Sequence, residues 1–193
     1  MSVAAIILAA GESRRMGQPK ALLPFRNGSF LSVLAETLSV HCSPVCAVFG
    51  ADAQYLMSFT PLSVVAAENP NYAQGMLTSL QAGLRNFAAL PDRVLFTLVD
   101  HPAVSPATIG ALLDSTAAIA IPKFGGKRGH PVVIRRAIAE EILAEPATSK
   151  LNTIMDRHAS DIHYLDLEDS GITDDIDDPE AYRSLLTREG AAA

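Results

Sequence analysis

Residues 11–20 read GESRRMGQPK, which puts two glycines, Arg15 and Lys20 within ten positions. Backbone amides around Gly11 and Gly17 can come close to oxyanions because no side chain stands in the way. Arg15 can fork two donors onto a phosphate, and Lys20 adds a mobile point charge. That is the chemistry of a polyphosphate cradle. Two familiar cradles do not fit. A P-loop has four residues between its glycines and then Gly-Lys-Ser/Thr, whereas here the gap is five and Ala21 follows Lys20. The Gly-x-Gly-x-x-Gly fingerprint of dinucleotide-binding folds is also absent.

A cradle needs a rigid mount, and the flanking sequence supplies one. Val3–Ala9 is a continuous apolar run ending just before Gly11, the pattern of a strand covered on both faces. Further strands are expected over Val45–Phe49, 62–66, 93–100, 117–121, 131–134 and 162–167. Apolar spacing predicts helices over 29–41, 77–90, 135–143, 149–158 and 179–186. Another opens at Ser105 and Pro106, an N-cap followed by proline at the first helical position. Strands alternating with helices imply an α/β fold: one domain over 1–187, a three-layer α/β/α sandwich on a mainly parallel Rossmann-like sheet, with 188–193 a frayed tail. Such sheets bind ligands beyond the carboxyl ends of their strands, where the glycine loop falls.

Bulk properties narrow the ligand. At 193 residues the chain suits one substantial core, and 49% hydrophobic with 19% charged residues is an ordinary globular composition. A net charge of −6 argues against a nucleic-acid partner, so the local cations must serve something small and anionic. Cys42 and Cys46 have no further ligand at metal spacing and read as free thiols. The apolar start lacks a basic flank and fits a buried strand better than a signal peptide; no stretch is long enough for a membrane span, and a cytoplasmic location is expected.

The run LAAGESRRMGQPKALLPF closely resembles the signature of the MobA-like nucleotidyltransferases, roughly Leu-Ala-Ala/Gly-Gly-x-Ser-x-Arg-Met-Gly-x-x-Lys-x-Leu-Leu, and within them the molybdenum cofactor cytidylyltransferase branch. The resemblance continues through NPNYAQGMLTSLQAGL (69–84), LFTLVDHPAVSPATI, GKRGHPVVI (126–134) and TDDIDDPEAY (173–182). It implies that Ala9, Ala10, Gly11, Ser13, Arg15, Lys20, Gly75 and Ser79 surround the nucleotide. An ordinary capped helix after Gly75 would share the pattern of the last two. The resemblance also implies Mg²⁺ on Asp100, at the tip of a buried strand, with Asp177 as second ligand; Asp175 and Asp178 are alternatives for that role. Arg128, Gly129 and His130 are implied for the acceptor, though His130 fits equally a residue that shapes its own loop. His101 stands where the family often has Gln. EPATSKLNTIMDRH replaces a Gly-Asp-x-Gly pattern of many relatives, which bears on the acceptor's identity.

The reaction implied is attack by an acceptor phosphate on the α-phosphorus of a nucleoside triphosphate, with release of pyrophosphate. The acceptor oxygen is already ionised near neutrality, so positioning and charge stabilisation suffice, with Lys20, Arg15 and Asp100 as the catalytic set. Ala-Ala-Gly, with Ala10 where other members have Gly, leans the donor toward CTP, with GTP the alternative. The implied acceptor is a molybdopterin-type phosphate, and a molybdo-enzyme is a possible recipient of the product. Rival expectations are a guanylyl- or sugar-phosphate nucleotidyltransferase on this scaffold, or a pterin carrier without catalysis.

Overall fold

The computed structural model describes residues 1–190. In chain order the main elements are β1 (Val3–Ala9), β2 (Pro24–Phe25), β3 (Gly28–Ser29), α1 (Phe30–Ser39), β4 (Val45–Phe49), α2 (Ala53–Met57) and β5 (Val64–Glu68). Then follow α3 (Met76–Arg85), β6 (Arg93–Leu98), α4 (Pro106–Asp114), β7 (Ile119–Phe124), β8 (Lys127–Arg128), β9 (Val132–Arg135), α5 (Arg136–Ala144), α6 (Leu151–Arg157), β10 (Ile162–Asp166) and α7 (Pro179–Gly190).

The main sheet runs β10-β7-β9-β6-β1-β4-β5, with β8 paired to β7. β1 is parallel to both β4 and β6, placing Ala9 opposite Phe49 and Leu8 opposite Leu98. β9 runs antiparallel to β6 and β7, so the sheet is mixed but mainly parallel.

The alternation of strand side chains builds the three layers. Ala5, Ile7 and Ala9 pack with α1, α4 and α7 on one face, while Ile6 and Leu8 pack with α3, α5 and α6 on the other. Burial on both faces explains why β1 reads as an unbroken apolar run. Ser29 caps α1 in a reciprocal capping box with Ser32, and Ser105 accepts from the Thr108 amide at the start of α4.

Several boundaries differ from the sequence pattern, the strand expected over 117–121 lying at Ile119–Phe124 among them, and three have a visible cause. The third strand starts at Val64, not 62, because a Pro61 turn sets its register against β4 and leaves Leu62 in solvent. The helix expected to 90 stops at Arg85, where Asn86 bonds back to Gly83 and Leu84. The last helix continues to Gly190, so Arg188 is helical and ion-paired to Asp174; 191–193 lie outside the described residues. No described helix is long and apolar enough to cross a membrane.

Candidate active site

β1 delivers Ala10 and Gly11 to the carboxyl edge of the sheet. The loop beyond folds around Ser13, which takes a left-handed backbone (φ 50°) and accepts the amides of Met16 and Gly17 on its carbonyl. Its hydroxyl accepts the Lys20 amide at 3.1 Å. Ser13 therefore closes the loop that presents Arg15 and Lys20. These residues line a cavity of about 400 Å³ together with Ala9, Ala10, Gly11, Gly75, Ser79, Asp100 and Asp177.

β6 brings in Asp100, whose chain continues directly from the strand. The Lys20 ammonium donates to Asp100 Oδ2 at 3.0 Å and also to Asp177 Oδ1, while Arg15 donates to Asp177 Oδ2. His101, buried, sits with Nδ1 2.9 Å from Asp100 Oδ1. Burial alone would raise the Asp100 pKa, but the His101 hydrogen bond and the Lys20 charge outweigh it and bring it down to about 2. For Lys20, burial opposes the charge, yet the bonds to Asp177 and Asp100 push its pKa above the ordinary value. Both groups are held charged.

The late acidic run divides by role. Asp175 joins Asp100 and Asp177, each offering an oxygen such that all lie within 4.8 Å of one another. Burial and the two neighbouring carboxylates raise the Asp175 pKa. Asp178 is occupied elsewhere, accepting the amides of Glu180 at 3.0 Å and Ala181 at 2.9 Å at the start of α7. Three converging carboxylates supply the hard oxygen donors that Mg²⁺ prefers.

Gly75 precedes α3 with φ 114°, a region that side chains avoid, and no atom lies within 4 Å of where a Cβ would stand. Of the two hydroxyls that follow, Thr78 is turned inward, donating to the Gly75 carbonyl at 2.9 Å. Ser79 lines the cavity but also accepts from Asn69 Nδ2 at 2.9 Å, as Thr78 does at 3.0 Å. Asn69 thereby clamps the loop to the helix.

A second cavity of about 640 Å³ adjoins the first, and Met76 and Leu98 line both. Arg128, Gly129 and His130 open onto it, as do His101 and Asp175. Gly129 has a steric cause: a Cβ there would stand 2.0 Å from the Ile172 carbonyl oxygen, and His130 N donates to that same oxygen. This contact holds the acidic loop against the sheet. The His130 Nδ1 is enclosed without a partner, its ring 5.1 Å from that of His101, and burial pushes its pKa down to about 4.

Several lining residues were not read from the sequence. Tyr72 and Met76 border the first cavity, and Asn152, Asp156 and Tyr164 the second. Only the pair four apart on one helix, Asn152 and Asp156, left a local signal.

The chain is 31% identical to nicotine blue oxidoreductase of Paenarthrobacter nicotinovorans, over 95% of this chain and 96% of that protein. It is 27% identical to the molybdenum cofactor cytidylyltransferase of Escherichia coli K12, over 95% of each. It is 30% identical to a probable molybdenum cofactor guanylyltransferase of Mycobacterium avium, over 96% of this chain and 95% of that one. The model of the MobA-like NTP transferase domain matches residues 5–162, and the chain belongs to that nucleotidyltransferase family.

Proposed function

We propose that the protein transfers a nucleoside monophosphate, CMP foremost, from a nucleoside triphosphate to the phosphate of a molybdopterin-type acceptor, releasing pyrophosphate. The observation that carries this reading is the placement of one carboxylate cluster across two cavities. Asp100 and Asp177 face the first, Asp175 faces the second, and the two spaces share Met76 and Leu98. Two phosphorylated substrates entering from either side would meet at those carboxylates.

Lys20 would then leave its carboxylate partners for the α-phosphate, and Arg15 would hold the departing pyrophosphate. Amides near Gly11 and the open backbone at Gly75 admit the nucleotide. Asp100, Asp177 and Asp175 would hold Mg²⁺, which supplies charge neutralisation at the reacting phosphates when bound. His101 keeps Asp100 oriented. An ionised acceptor phosphate needs no strong base, which fits a site without a nucleophilic triad. The leaning toward CTP rests on Ala10 in the Ala-Ala-Gly turn.

The test is to incubate the protein with molybdopterin and Mg²⁺ plus CTP, GTP, UTP or ATP, reading pyrophosphate and nucleotide-linked pterin. Product with CTP above the others is the expected result; a GTP preference moves the assignment to guanylyl transfer. A second reading draws on the 31% identity to nicotine blue oxidoreductase across nearly all of both chains. A protein that reduces nicotine blue, and releases no pyrophosphate from any triphosphate, would belong there instead.

A further inference from the structure

The second cavity is lined by chemically distinct groups. His101 and Asp175 border it, and Asp175 belongs to the carboxylate cluster. α6 and β10 supply another part of its lining. On α6, Leu151, Asn152, Met155 and Asp156 all border the cavity, the i, i+1, i+4, i+5 set that shares one helical face. Arg128 lines the same cavity, its guanidinium 4.7 Å from the centre of the Tyr164 ring.

The fastening of α6 does not use Asn152 or Asp156. Leu151 and Ile154 are buried in the core. Arg157 is ion-paired to Glu141 and Glu145, and His158 Nε2 lies 2.6 Å from Glu141. The buried Gln81 amide donates to the Ile142 and Glu145 carbonyls at 2.8 Å each, tying α3 to the end of α5. Asn152 and Asp156 are exposed and take no part in these ties. Their position on a helix held by other contacts leaves a carboxamide and a carboxylate directed at the cavity with no structural duty there.

From this we infer that Asn152 and Asp156 are specificity-determining residues for the acceptor. They select a head group that offers N–H donors, while Arg128, flattened on Tyr164, takes an oxygen-bearing or planar part of the same group. The inference rests on the transferase reading and says which part of this chain recognises the second substrate. A carboxylate accepts such donors with charge assistance and repels a head group that offers only oxygens. Neither residue lines the first cavity, so they are expected to set affinity for the acceptor and leave the chemical step alone.

The experiment compares the wild-type chain with N152A and D156N, using molybdopterin as acceptor at saturating nucleotide. Losing a charge-assisted hydrogen bond should raise the KM for molybdopterin about tenfold in D156N, and several-fold in N152A. The turnover number, the nucleotide affinity by calorimetry and the unfolding midpoint should stay at wild-type values. A KM unchanged in both variants overturns the inference while leaving the transferase reading intact. A fall in turnover number or nucleotide affinity without a change in KM also overturns it. A wild-type protein that forms no nucleotide adduct of molybdopterin overturns the transferase reading, and the inference falls with it.

Discussion

The Lys20 ammonium lies 3.0 Å from Asp100 Oδ2 and bonds Asp177 as well, so a built-in cation joins two of the three clustered carboxylates. Both side chains of the Lys20–Asp100 pair are largely buried, where charge pairs are screened less than at the surface. Under the proposed function a metal arriving alone would have to displace that ammonium. A nucleotide's phosphates would offer Lys20 and Arg15 another partner, which would favour joint binding of nucleotide and metal.

Removing the ammonium should therefore separate binding from catalysis. In K20M, nucleotidyl transfer is expected to fall at least about tenfold, the cost of a lost charged hydrogen bond in the transition state. Affinity for Mn²⁺ without nucleotide should rise, read by the free-ion electron paramagnetic resonance signal. Weaker Mn²⁺ binding in K20M would show that Lys20 does not compete for the site.

Asp177 and Asp178 should behave oppositely despite being adjacent. Asp178 caps α7, so D178A is expected to lower the unfolding midpoint by about 2–4 °C, with little change in transfer. D177N should abolish most transfer and leave the midpoint nearly unchanged. Thermal unfolding followed beside a pyrophosphate-release assay checks both, and an inactive D178A with normal stability would contradict the assignment.

His130 makes stability depend on pH in a defined direction. Its pKa is lowered from 6.5 to about 4, so between those values the unfolded chain binds the extra proton and the folded one does not. Its contribution is fully present above pH 6.5 and is lost as pH falls toward 4, by as much as about 3 kcal/mol. Asp100, lowered from 3.8 to about 2, adds a contribution that is lost only as pH falls below about 4. His158 acts in the opposite sense, its pKa raised chiefly by the hydrogen bond to Glu141. Urea unfolding of wild type and H130Q from pH 7 to 5 isolates His130 by difference, and the variant should show the shallower loss.

Gly129 couples the second cavity to the acidic loop. A Cβ there would stand 2.0 Å from the Ile172 carbonyl oxygen, so G129A must push the 170–177 loop away. Overpacking of this kind costs about 1–3 kcal/mol, and it should also lower transfer by displacing Asp175 and Asp177. Denaturant unfolding together with the transfer rate would check this; normal values for both would refute the contact.

The local sequence determined the elements whose signals are local. The unbroken apolar run of β1 announced a strand buried on both faces, Ser105 and Pro106 marked the start of α4, and Gly11 and Gly17 marked the loop that follows β1. Each depends on hydrogen bonds or periodicity within a few residues, which the chain carries wherever it lies. Tertiary structure alone decided that Lys20 meets Asp100, 80 positions away, and Asp177, 157 away. It also decided that Asp178 serves as a cap while Asp175 joins the cluster, and that Tyr164 carries Arg128. The antiparallel course of β9 and the two-residue shift of β5 belong to the same class. The physical reason is that these pairings follow from strand order and from which faces pack together. Neighbouring acids of identical type carry no local mark of which one a distant loop will claim.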